Sequence, residues 1–79
     1  MIFLIEYDRQ SGLRIKFDKF KDSDRKKAEK KRLKLELDLN RKNVNHEVVL
    51  LEAKNESLLR HTHQRYFDSL YTIAKSTAG

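Results

Sequence analysis

Cysteine, proline and tryptophan are all absent from this chain, and its 79 residues include only two glycines. Each absence excludes something. Without cysteine there is no disulfide and no thiolate metal site, a composition that fits a reducing compartment. With two glycines there is no room for a glycine-rich loop of the kind that cradles phosphates. No window approaches the roughly 20 apolar residues of a membrane span. The opening "MIFLIEYDR" has too short an apolar run, and no basic residues before it, to read as a signal peptide. The sequence therefore predicts a cytoplasmic protein without a membrane segment.

Catalytic signatures are missing as well. There is no GxSxG elbow, no Walker or Rossmann glycine pattern and no pair of carboxylates spaced for acid–base work. No cofactor is implied. A metal reading of His46, His61 and His63 fails on spacing. On a helix His61 and His63 point about 200° apart and cannot share an ion as an HxxxH pair can. Asp8, at the end of "IEYD", could be catalytic, but Gly12 four residues on makes it a turn former.

What the chain does have is charge, unevenly placed. Residues 14–42 carry thirteen Lys or Arg against six Asp or Glu, whereas the remainder carries five against six. The net charge of +6 thus comes entirely from one segment. At 38% charged residues, disorder would also require low hydrophobicity, and here the apolar residues are grouped into clear segments. The expectation is one folded domain over residues 1–79. A chain of this length buries only about 60% of its unfolded surface, so its core is marginal and a second copy can complete it.

The segments read as follows. "IFLIEYD" (2–8) is apolar at both parities, as in a strand buried on both faces. "LRIKFDKF" (13–20) alternates, with Leu13, Ile15 and Phe17 on one side and Arg14, Lys16 and Asp18 on the other. With "RQSG" between them the two predict a β-hairpin. "KDSD" offers Asp22 or Ser23 as a helix cap. The next stretch, "RKKAEKKRLKLELDL", is ambiguous. Leu33, Leu35, Leu37 and Leu39 alternate like a strand, yet no β-branched or aromatic residue occurs between Lys21 and Asn43. A helix over about 23–40 is the reading adopted, against a helix followed by a strand. "EVVLLEA" (47–53) predicts a third strand. Asn55 then caps a second helix over about 56–74, with Leu59, Thr62, Tyr66, Leu70 and Ile73 at helical spacing. Asn40, Asn43 and Asn45 in the connection all tolerate left-handed backbone.

The predicted fold is α+β, a ββαβα domain. Its three-stranded, mainly antiparallel sheet has order 2-1-3, with the two helices on one face. On that plan the other sheet face is under-covered and available to a partner.

Two surfaces carry the functional expectations. Lys26, Lys27, Lys30, Lys31 and Lys34 surround the first helix and are candidate nucleic-acid contacts, salt-dependent and without sequence preference. Arg25 with Glu29 and Arg32 with Glu36 have the i,i+4 spacing of weak self-pairing, which favours a merely solvated helix. Leu33 and Leu37 point away from the Ala28/Leu35/Leu39 stripe. Either the second helix covers them or they form a seam with another chain or a second copy. "LRHTHQRYF" (59–67) gathers residue types that RNA-cleaving enzymes use, though types alone carry little. "LIEYDR", "EVVLLEA" and "THQRYF" are distinctive strings to which the sequence attaches no chemistry. The leading expectation is a non-enzymatic protein–protein interaction or regulatory module. The alternative is a nucleic-acid-binding protein using residues 14–42.

Overall fold

The computed structural model describes residues 1–67. Three strands, β1 (Ile2–Asp8), β2 (Leu13–Phe20) and β3 (Glu47–Glu52), form one antiparallel sheet in order β2-β1-β3. Two helices, α1 (Arg25–Arg41) and α2 (Glu56–Thr62), complete a small α+β fold. No helix among the described residues is long and apolar enough to cross a membrane.

β1 takes the centre because it is apolar at every position from Ile2 to Ile5. All of Ile2 to Tyr7 are buried. Its turn to β2 is built by Asp8, whose carboxylate accepts from the Gln10 amide at 3.0 Å and the Ser11 hydroxyl at 2.8 Å. Gly12 follows at φ 71° and donates its amide to the Asp8 carbonyl, a left-handed position that favours glycine. These hydrogen bonds, Ser11 first, hold the Asp8 carboxyl below its ordinary range.

The alternation expected of β2 does not survive along its whole length. Tyr7 pairs with Arg14 and Glu6 with Lys16, so Ile15 has no partner and a bulge sits there. A bulge resets which side chains share a face. Arg14 joins the side of Phe17, its guanidinium 5.1 Å from that ring and 4.8 Å from the Phe67 ring. Leu13 and Ile15 are left half exposed.

The register also decides where the helices lie. Directly paired residues point to the same side of a sheet. Ile2, Leu4 and Glu6 therefore share a face with Asp18, Phe20, Leu50 and Glu52. α1 lies on this face: Lys31 reaches Asp18 at 2.9 Å and the Phe20 ring, and Arg25 pairs with Glu52. Phe3, Ile5 and Tyr7 share the opposite face with Phe17, Lys19, Val49 and Leu51. α2 and the short 3-10 turn after it lie there. Glu56 pairs with Lys19 at 2.7 Å, and Tyr66 packs edge-on against Tyr7 at 5.3 Å. The helices thus cover opposite faces, not one. The reason lies in β1, which is apolar on both sides and needs a cover on each.

α1 is a single helix through Leu39, so the strand reading of residues 33–39 falls. It begins at Arg25, and neither Asp22 nor Ser23 caps it; they belong to a 3-10 turn, Asp22–Asp24. Asn43, at φ 56°, takes the left-handed position after the helix. Asn55 caps α2 as expected, accepting from the Leu58 amide at 2.9 Å. The helix expected over 56–74, however, ends at Thr62. The Thr62 hydroxyl turns back to the Leu58 carbonyl, and His63 leaves helical geometry at φ −128°, ψ 51°. A 3-10 turn (Gln64–Tyr66) then carries Tyr66 into the core, so burial of its ring outweighs continued helical spacing. Leu70 and Ile73 lie outside the described residues.

Candidate functional site

α1 owes its position to a narrow apolar stripe. Ala28 is fully buried against the sheet, and Leu35 and Leu39 are half buried on the same side. Arg32, Glu36 and Asp38 are half buried at the margins of this stripe, the remaining positions face water, and two surfaces arise from that exposed part.

One is basic. Lys16 of β2 comes to the flank of α1, where it lines an open groove of about 600 Å³ with Lys27, Lys30, Lys31, Lys34 and Asp38. The structure brings together four of the five lysines singled out in the sequence and adds Lys16; Lys26 lies outside the groove. Their electrostatic states differ. Lys31 is held by Asp18, and Lys27 approaches Asp24 at 3.9 Å. Lys16, Lys30 and Lys34 have no carboxylate within ion-pair distance among the described residues.

The other is apolar. Leu33 and Leu37 are 54% and 58% exposed, and α2 cannot cover them from across the sheet. They form a shallow trough of about 360 Å³ with Lys30, Lys34, Asp38 and Arg41 around it. The intrahelical pairs expected of Arg25 with Glu29 and of Arg32 with Glu36 are not made. Arg25 turns to Glu52, and the Arg32 Nε is buried without a hydrogen-bond partner. Glu29 and Glu36 have no ion-pair partner among the described residues.

Two polar clusters escape sequence reasoning. Glu47 gathers Arg9 at 3.2 Å, Arg65, and the Tyr66 hydroxyl at 2.8 Å. Burial pushes its carboxyl up, but the hydrogen bonds from Tyr66 and Arg9 and the charges of Arg65 and Arg9 outweigh it, leaving the group below its ordinary range. This cluster joins the strings "LIEYDR", "EVVLLEA" and "THQRYF" at one corner of the sheet. It accounts for Arg65 and Tyr66 as ties that hold the 3-10 turn to β3. The second cluster is Glu6, buried on the α1 face and met by His46 Nδ1 at 2.6 Å, with Asp8 3.9 Å from the other ring nitrogen. A lone Glu inside an apolar strand was the available signal for it.

The remaining residues of "LRHTHQRYF" find separate partners. Arg60 bonds Glu56 and covers the Phe67 ring, and His63 meets the Thr62 hydroxyl. No group of three or more potential metal ligands occurs among the described residues. Comparison with protein-family models, curated proteins and solved structures finds no match to the chain.

Proposed function

We propose that this protein is a non-catalytic binding module and that the outward face of α1 is its working surface, directed at a protein. The observation that carries this reading is the exposure of Leu33 and Leu37. The helix spends Ala28, Leu35 and Leu39 on its own sheet, then presents two further leucines to water where nothing in the described fold reaches them. Exposed leucines at i,i+4 spacing are how an amphipathic helix offers anchors to another helix.

A photo-crosslinking amino acid in place of Leu37 tests the reading in cells, with the same group at exposed Lys54 as control. The expected result is a discrete protein adduct from position 37 alone. Absence of any adduct, or adducts to nucleic acid only, overturns it.

A second reading, nucleic-acid binding, is favoured by the unpaired Lys16, Lys30 and Lys34 around one groove. Three phosphate contacts predict a loss of about 40-fold in duplex affinity between about 50 and 200 mM salt. Fluorescence anisotropy with labelled duplex DNA, single-stranded DNA and structured RNA measures this. No binding at the lower salt retires the phosphate reading.

A further inference from the structure

We infer that the partner of this face is a second copy of the same chain, docked with its α1 parallel to the first. The inference rests on the reading of Leu33 and Leu37 as a working surface and adds the occupant. Its argument is charge complementarity in a heptad frame. With Leu33 at d and Leu37 at a, the flanking g positions are Glu29 and Glu36, both acidic. The following e positions are Lys34 and Arg41, both basic. In parallel helix pairs g of one chain meets e of the next heptad on the other. Glu29 then meets Lys34 of the second copy, and Glu36 meets its Arg41, on both sides of the seam.

The structure leaves these groups available. Leu33 and Leu37 are on the side of α1 opposite Ala28 and, with Glu29, Lys34 and Arg41, are solvent-exposed, while Glu36 on the flank is half buried. Glu29, Glu36 and Lys34 have no ion pair within the described chain, and Arg41 has only the exposed i,i+3 contact with Asp38. Antiparallel docking would instead set e against e and g against g, placing like charges together. Lys26 and Lys30 occupy the preceding d and a positions. Their mutual repulsion confines the contact to the C-terminal half of α1 and fixes its register, since any slip would bury a lysine opposite a leucine. With two leucines per chain at the seam, the association is reversible and of modest strength.

Sedimentation velocity of the purified full chain, from low micromolar to millimolar concentration, is the first test. Monomer should give way to dimer as concentration rises. Glu29→Lys with Glu36→Lys, and separately Lys34→Glu with Arg41→Glu, should each weaken self-association by about tenfold or more, because four attractive pairs become repulsive. An equimolar mixture of the two variants should form a mixed dimer. Circular dichroism checks that the variants remain folded. Orientation is read from Asn40→Cys, at the next d position of a chain without other cysteines. Parallel docking gives a disulfide between the two introduced thiols on mild oxidation, and antiparallel docking does not. A wild-type chain that stays monomeric, a dimer indifferent to charge reversal, or failure of the Asn40→Cys crosslink overturns the inference. The position-37 crosslink separates the two claims. An adduct of twice the chain mass fits both, an adduct of another mass overturns the second copy alone, and no adduct overturns both.

Discussion

Glu47 concentrates more hydrogen bonding than any other carboxylate described in the fold, because two arginines and a tyrosine hydroxyl converge on it. The arginine partners are exposed, so much of their pairing is screened by solvent. The Tyr66 bond is not, since that ring is buried. Glu47→Ala should cost about 1–3 kcal/mol, measured by urea denaturation at neutral pH. The same group makes a pH prediction. Its folded-state pKa lies below the ordinary 4.5, so the unfolded chain takes up the proton first. The stabilisation is complete above about that value and is lost as pH falls through the lower, folded-state one. Denaturation of wild type and Glu47→Gln across this range should show a shallower fall for the variant. His46→Ala tests the second cluster. It strips a buried carboxylate of its close partner and should cost about 1–3 kcal/mol. Glu6→Gln made in addition should recover part of that loss, because the stranded charge is then gone.

At the scale of elements, each boundary has a local cause. α2 is seven residues long, too short to hold by propensity, so its cap and its buried Leu59 matter together. Asn55→Ala should destabilise the domain by about 1 kcal/mol in thermal or urea unfolding, as the Leu58 amide loses its acceptor. The bulge at Ile15 is a second local device. It moves Arg14 to the aromatic face, where the guanidinium lies over two rings. Arg14→Ala should cost about 0.5–1 kcal/mol if those contacts contribute as cation–π pairs usually do.

For the whole molecule, the division between core and surface on the two helices is the sharpest expectation. Leu59→Ala removes a fully buried side chain and should cost about 2–5 kcal/mol, a large share of a small domain's stability. Leu33→Asn and Leu37→Asn change residues more than half exposed and should alter monomer stability by no more than about 0.5 kcal/mol. Urea denaturation of dilute protein makes that comparison. If the α1 variants unfold the monomer, these leucines serve the fold; if they leave it intact, they are free to serve binding.

Local information in the sequence determined the strands, the sheet order, the helical state of residues 25–41, the Asn55 cap and the turn at Asp8–Gly12. These follow from apolar parity, the lack of β-branched residues and short-range side-chain hydrogen bonds, all of which act within a few residues. Tertiary structure alone decided the rest. The bulge at Ile15 depends on how β2 meets Tyr7. The end of α2 depends on Tyr66 finding Tyr7 and Glu47. The placement of the helices on opposite faces depends on β1 needing cover on both sides. That last choice left Leu33 and Leu37 in solvent, because the helix that could have packed on them was required across the sheet.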